Sequence, residues 1–431
     1  METGLSDILF TGSSRDGWLE KAHDADAGLI RVFVSWRQVA TNKPSDPQSP
    51  SDSAYDFSGL DATVAGIAAN GMEPLLTVYD APAWAEGKNR PKSAYAGTWK
   101  PSASAFGKFN HALAARYSGS FNGLPRVRYF QAWNEPNLDN YLSPQWKGKK
   151  LVAADAYKSL MGAAYKAIHG VDSGNRLVGA GLAPYGASPG GDRSRPLKFW
   201  RSVFCLKDRK KLKKAGNCGK AASLDIFAHH AINTSGPPPQ EALNPDDASS
   251  GDLKDVARVF KAAERQGTVA GGKHPMWVTE FWWESDPPDR KQGYPPMRQA
   301  QFIEQTMFLA WDAGFSAAIN LQIRDERVTK KTVLAHNATG LYFHSNKAKP
   351  ALRAFEFPFV ADRKSKKIEL WGKAPSSGKV VVEQKKGKGW KKVESTKAGS
   401  NRIFDTKTRL GGRAKLRAKA GGETSIVWKL K

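Results

Sequence analysis

From Asp7 to Arg324 short runs rich in β-branched and aromatic residues alternate with amphipathic stretches, the pattern that predicts a parallel sheet wrapped by helices. Eight runs read as strands: Ile8 to Phe10, Leu29 to Val34, Glu73 to Val78, Val127 to Ala132, Leu177 to Ala180, Leu224 to Ala228, Met276 to Thr279 and Ala317 to Leu321. Between them the apolar spacing predicts helices such as Phe106 to Tyr117, Asp155 to His169, Leu253 to Gln266 and Gln299 to Ala313. Eight such units close a (β/α)8 barrel, an α/β fold. A doubly wound open sheet would alternate in the same way. The segment Thr11-Gly12-Ser13-Ser14, however, is not the glycine-rich phosphate loop such a sheet carries after its first strand, and its absence favours the barrel.

Beyond Phe359 the helical spacing stops. Short alternating runs follow at Lys367 to Trp371, Lys379 to Glu383, Trp390 to Ser395, Arg402 to Leu410, Ala414 to Ala418 and Ser425 to Leu430, separated by Gly and Ser-Gly turns. They predict a small all-β, sandwich-like domain over 361–431 behind a barrel over 1–360. Charge divides the same way. Of the formal +25, residues 361–431 carry +15, from 21 Lys and Arg against 6 Asp and Glu.

A chain of 431 residues with 40% hydrophobic content, 14 Trp and 20 Phe can bury a sizeable core, which excludes global disorder. No run of about 18 apolar residues occurs, so no membrane span is expected. Met1 to Leu9 lacks the charged and apolar regions of a signal peptide. Either a leader has been removed, the start is placed late, or the protein stays inside the cell. The only cysteines, Cys205 and Cys218, flank a Lys-rich loop and read as a disulfide, which favours an extracellular or cell-wall location. No second Cys or His pair stands near them at metal-ligand spacing, so no metal is expected there.

The chemistry sits at two strand ends. The fourth strand runs into Trp133-Asn134-Glu135-Pro136, and the seventh into Thr279-Glu280-Phe281-Trp282-Trp283. Residues at the C-terminal ends of barrel strands converge on one face, and strands four and seven oppose each other across a closed barrel. Hydrolysing a glycosidic bond needs a proton donor on one side of the anomeric carbon and a carboxylate on the other. Two glutamates so placed suit that task, provided that their environments differ.

These segments resemble the paired signatures of the clan A glycoside hydrolases, closest to their cellulase-like and β-xylosidase-like branches, and the resemblance covers roughly residues 5–358. It implies a retaining mechanism without metal or organic cofactor, with Glu135 as acid/base, Glu280 as nucleophile and Asn134 touching the sugar 2-hydroxyl. Arg31 matches the strand-two arginine that orients the nucleophile; an ordinary ion pair at the barrel rim is the plainer alternative. His230 falls where the clan has a substrate-facing or acid/base-facing histidine, and His229 would then point outward. Two positions depart from the pattern. Ile232 stands where many members have a tyrosine that bonds the nucleophile, and Asn320 to Arg324 lacks the usual tryptophan. Gln322 and Tyr294 are candidate substitutes.

Sugar rings pack on aromatic faces, so Trp84 and one of Trp282 and Trp283, with Trp283 favoured, are expected at substrate subsites; loop anchoring is the alternative for each. The implied partner is a β-linked oligo- or polysaccharide, cleaved by water or transferred to a second sugar. The lysine runs at Arg363 to Lys367 and Lys385 to Lys392 read first as solvated strand faces. An anionic cell-wall or capsular polymer is the partner they suit. Nucleic acid is disfavoured, since no recognised binding motif is present. The rival class is a non-catalytic carbohydrate-binding or cell-surface protein on a decayed barrel.

Overall fold

A computed structural model describes residues 1–233, 236–327, 337–365 and 367–430. Lys366, within the first lysine run, lies outside the described residues. Eight parallel strands form the barrel: β1 (Glu2–Ser6), β2 (Leu29–Ser35), β3 (Glu73–Tyr79), β4 (Tyr129–Ala132), β5 (Arg176–Val178), β6 (Phe227–His230), β7 (Met276–Phe281) and β8 (Ala317–Leu321). Their order is β6-β7-β8-β1-β2-β3-β4-β5, and a parallel bridge between Val178 and Ile226 joins the two ends. Each strand is followed by a helix: α1 (Arg15–Asp24), α2 (Ser58–Ala69), α3 (Ala103–Arg116), α4 (Ala153–Val171), α5 (Pro196–Val203), α6 (Leu253–Arg265), α7 (Pro296–Asp312) and α8 (Pro350–Glu356). Crossover helices cover the outer face, which is why β2 and β3 read as nearly continuous apolar runs.

The first strand lies earlier than the sequence pattern placed it. Ile8–Phe10 is a 3-10 turn, its first turn closed by the Leu9 N–H donating to Asp7 Oδ1 at 2.9 Å, and Ile8 is exposed. The weakly apolar Glu2–Ser6 pairs instead with Ala317–Leu321 and with Leu29–Ile30. A Cβ on Gly4 would lie 2.7 Å from the Leu29 carbonyl oxygen, so close strand contact rather than side-chain apolarity selects this segment. The sixth strand also shifts, from Leu224–Ala228 to Phe227–His230; the Asp225 carboxylate accepts from the Leu177 N–H at 2.7 Å, and Ile226 keeps a single bridge to Val178.

Inside the barrel Leu29, Leu75, Val178, Ile226, Ala228, Trp277, Ala317 and Ile319 pack as one buried cluster. Two residues further along, the same inward face turns polar: Leu29 gives way to Arg31, Leu75 to Thr77, Tyr129 to Gln131 and Trp277 to Thr279. An apolar plug thus carries a polar floor, and the cleft lies above it.

The C-terminal segment forms two antiparallel sheets. One has the order β9-β10-β13 (Phe359–Lys364, Lys367–Lys373, Ile403–Thr408); the other has β12-β11-β14 (Gly389–Ala398, Gly378–Lys386, Ala414–Ala420), with β15 (Trp428–Leu430) pairing β14. Phe359, Ile368, Leu370, Val380, Val382, Phe404 and Leu416 fill the space between them. Strand β9 begins two residues before Ala361. The domain is anchored on the barrel. Trp371 is fully buried 5.7 Å from Phe308 and 5.8 Å from Trp311 of α7. Lys373, 1% exposed, donates to Thr3 Oγ1 and Asp26 Oδ2, each at 2.7 Å. Cys205 and Cys218 form a disulfide with Cα atoms 5.5 Å apart, closing the loop between α5 and β6.

Candidate active site

Strand β7 cannot present both Thr279 and Glu280 to the interior by simple alternation. A bulge resolves this: His229 pairs with Val278 and His230 with Glu280, leaving Thr279 as an extra residue. Thr279 Oγ1 accepts from Gln131 Nε2 at 3.2 Å, and Glu280 accepts from Arg31, so both face inward.

Glu135 arrives by a different device. Past the end of β4 the chain takes positive φ at two non-glycine residues, Trp133 (71°) and Glu135 (37°), a costly conformation that must be held by its surroundings. The Trp133 indole N–H donates to the Tyr141 carbonyl at 2.9 Å, the Glu135 N–H to Gly181 O at 3.1 Å, and the Asn137 amide to Ala183 O and Ser194 O at 3.1 Å. These bonds turn both Asn134 and Glu135 toward the barrel axis.

Arg31 organises the floor. Its fully buried guanidinium donates through Nη1 to Glu280 Oε2 (2.9 Å), through Nη2 to Asn134 Oδ1 (2.7 Å), and through Nε to Gln131 Oε1 (3.0 Å) and Thr77 Oγ1 (3.1 Å). The Phe33 ring lies 4.5 Å from it. Four strands therefore meet on one cation.

His230, also fully buried, brings Nδ1 to 2.9 Å from Glu135 Oε1 and 4.0 Å from Glu280 Oε2. One polar atom of each of these three residues lies within 4.8 Å of the others. Burial pushes the Glu135 carboxyl up to about 7 against the opposing pull of Arg31, and holds the His230 imidazole down at about 3. Near neutrality Glu135 can carry a proton while His230 is uncharged. The trio has the donor types of a metal site, but the Arg31 guanidinium already fills the cationic place beside Glu280, and Nδ1 of His230 is engaged with Glu135.

Above this floor opens a cleft of about 780 Å³ lined by Glu135, Glu280, Tyr141, Tyr185, Trp282, Trp283 and Tyr294 among others. Trp283 reaches it only in part; its indole N–H donates to Thr306 Oγ1 at 2.9 Å and its ring packs on Phe302. Trp84 does not reach it. The Trp84 indole N–H donates to Ala40 O at 2.9 Å and its ring meets Trp36 edge-on, so a loop-anchoring contact, satisfying a half-buried donor, replaces the expected subsite. Ile232 and Tyr294 line the cleft. Gln322 instead accepts from Thr339 Oγ1 at 2.7 Å and donates to Glu326. His229 lies on the opposite face of β6 from the cleft, with Nε2 3.1 Å from Ala248 O.

Sequence reasoning missed an aromatic rim. Phe33, Tyr79 and Tyr141 form an edge-on chain with ring spacings of 5.6 and 6.2 Å. Phe33 and Tyr79 stand two positions after Arg31 and Thr77, so alternation from those residues would have found them. Gly181 was missed too. A Cβ there would fall 2.0 Å from His230 Nε2 and 2.8 Å from Thr279 Oγ1, so only glycine leaves room for the imidazole.

No protein-family model and no curated protein matches the chain. Solved structures do. A family 39 glycoside hydrolase from the gut symbiont Bacteroides cellulosilyticus has a TM-score of 0.58 at 15% identity, covering 95% of this chain and 81% of that one. A family 39 enzyme from Xanthomonas axonopodis pv. citri gives 0.51 at 14%, covering 95% and 91%. A family 30 endoxylanase from Clostridium papyrosolvens gives 0.51 at 11%, covering 100% and 96%. At such identities the likeness is one of fold, a (β/α)8 barrel followed by a β-domain.

Proposed function

We propose that this protein is a retaining glycoside hydrolase that cleaves a β-linked oligo- or polysaccharide by double displacement. The observation that carries the reading is the pair of glutamates from opposed strands, their oxygens within 4.8 Å, in unequal surroundings: Glu135 beside a neutral imidazole with its carboxyl pushed up by desolvation, Glu280 paired with Arg31. Close spacing suits direct attack by one carboxylate, whereas an inverting pair stands further apart to admit water. In the first step the Glu135 carboxyl gives its proton to the leaving oxygen while Glu280 attacks the anomeric carbon and forms a glycosyl ester. In the second, Glu135 takes a proton from water, which displaces Glu280. Arg31 aims the Glu280 carboxylate and Asn134 Oδ1 together, leaving the Asn134 amide nitrogen to donate to a sugar hydroxyl. The fold shared with glycoside hydrolases supports the same chemistry.

The disulfide supports an extracellular or cell-wall home, and the +15 of residues 361–431 supports a β-domain that holds the enzyme near an anionic polymer. The decisive test uses Glu280→Ala on a panel of aryl glycosides. Turnover should disappear, and azide should partly restore it, giving a glycosyl azide of inverted configuration. Proton NMR of the wild-type reaction should show a first product that keeps the anomeric configuration of the substrate. Unchanged turnover in the variant, or an inverted first product, refutes the proposal.

A further inference from the structure

We infer that the substrate is itself an anionic polysaccharide, one part of which lies in the catalytic cleft while a neighbouring stretch lies in a basic groove on the β-domain. The inference deepens the glycosidase reading and rests on it for the cleft half.

The groove, about 900 Å³, is lined by Arg298, Lys385, Lys386, Arg413, Lys415 and Lys429, and among the described residues no carboxylate lines it. Among the described residues none of these six cations forms an ion pair. Their arrangement is built by the sheet. Lys415 of β14 stands directly opposite Lys429 of β15, and Lys385 of β11 lies one step beyond the Gln384–Leu416 pair on the other side of β14. Residues directly opposite each other share a face, so three lysines form a row across three strands. Like charges placed opposite one another destabilise a sheet. A polyanion threaded along the row would convert that repulsion into attraction.

The groove opens toward the catalytic end of the barrel. Arg298 belongs to the first turn of α7, the helix that follows the Glu280 strand. A smaller trough of about 230 Å³ shares Arg298, Lys429 and Leu430 with the groove and continues past Trp428 to Pro237 and Pro239. Gly236, next to Pro237, lines the cleft. Trough and groove thus share a rim, and the trough begins at Pro237, next along the chain to the cleft residue Gly236. The trough offers a partly exposed indole, the kind of surface on which a sugar ring packs. The approach of the trough to the cleft at 236–237 favours a polysaccharide over a nucleic acid, and regularly spaced carboxylates or sulfates would match the cation row.

The test uses full-length Glu280→Gln, so that no polymer is cut, with hyaluronan and chondroitin sulfate as β-linked carboxylate and sulfate probes, dextran as neutral control and duplex DNA as competitor. Binding is measured by affinity electrophoresis at low and high salt. Lys385→Glu/Lys415→Glu/Lys429→Glu in that background should weaken binding of at least one anionic polysaccharide by roughly tenfold or more, since three cation contacts become repulsive. High salt should mimic the loss. With Glu280 intact, the triple variant should lose kcat/KM on that polymer and keep it on an aryl glycoside. Should the Glu variant not fold, Lys385→Gln/Lys415→Gln/Lys429→Gln, which relieves the repulsion, serves instead and should show the same loss. Unchanged binding, equal binding of dextran, or tighter binding of DNA at matched charge overturns the inference. If no glycoside is hydrolysed yet groove-dependent binding persists, the glycosidase reading falls while the groove stands.

Discussion

Replacing Glu135 by Gln removes a largely desolvated titrating group without changing its shape, and the consequence for stability depends on pH in a way that can be worked out. Burial raises the Glu135 carboxyl from 4.5 to about 7. Below pH 4.5 folded and unfolded chains both hold the proton, and the wild type has its full stability from this site. Between the two values the unfolded chain releases the proton and the folded chain keeps it, so stability falls as pH rises, and the loss is complete above about 7. At about 1.4 kcal/mol for each pH unit in that window, the loss amounts to about 3 kcal/mol. The Gln variant does not titrate. It should match the wild type in acid and exceed it by that amount in mild alkali. For a chain of this length, unfolding entropy converts 1 kcal/mol to about 1 °C, so the melting temperatures should diverge by roughly 3 °C. His230, held at about 3, stays neutral throughout and adds nothing to the difference. Thermal unfolding of both proteins from about pH 4 to pH 9 measures the divergence. In parallel, wild-type kcat/KM on an aryl glycoside should fall as Glu135 loses its proton above about 7, a limb absent from the variant. A difference in melting temperature that is flat across this range, or that narrows with rising pH, would refute the placement of Glu135 as the buried acid.

Gly181→Ala should lower turnover by roughly tenfold to a hundredfold with the fold kept, because the new Cβ displaces the imidazole that bonds Glu135; steady-state kinetics beside a circular dichroism spectrum checks this. Mass spectrometry of non-reduced peptides should find Cys205 linked to Cys218, and Cys205→Ser should cost about 3 kcal/mol in urea unfolding for a loop of this length; two alkylatable thiols in the native protein would contradict the linkage. Lys373→Met should destabilise the whole chain by about 1 kcal/mol in the same assay, because Asp26, about a third exposed, loses Lys373 and keeps only Arg402 at the joint between barrel and β-domain; an unchanged midpoint would show that the joint does not bear on stability.

Some of the fold was legible because it is written in local patterns. Runs such as Leu29–Val34 and Met276–Thr279 announce strands covered on both faces, and Asn134-Glu135-Pro136 announces a strand end carrying chemistry. Glu2–Ser6 was not legible, because Gly4 and its neighbours owe their place to how closely they approach Leu29 and Ile319, contacts that no local pattern records. Trp84 shows a second limit. Its position after β3 suits a subsite, but whether an indole faces the cleft or a carbonyl is decided by the nearest acceptor, here Ala40 O.

The alternation of strands and helices, the two strand-end glutamates and the concentration of positive charge near the C-terminus all follow from residue type and spacing along the chain. How they combine depends on folding. The bulge at Thr279 turns Glu280 inward, the left-handed backbone at Trp133 and Glu135 does the same from the other side, and Arg31 ties residues 103 and 249 positions away into one network. The row Lys385, Lys415 and Lys429 likewise exists only once three strands are in register. The physical reason is common to all of them. Burial, pairing and close approach are relations between distant residues, and their energies arise only when the closed barrel and the folded sheets bring those residues together.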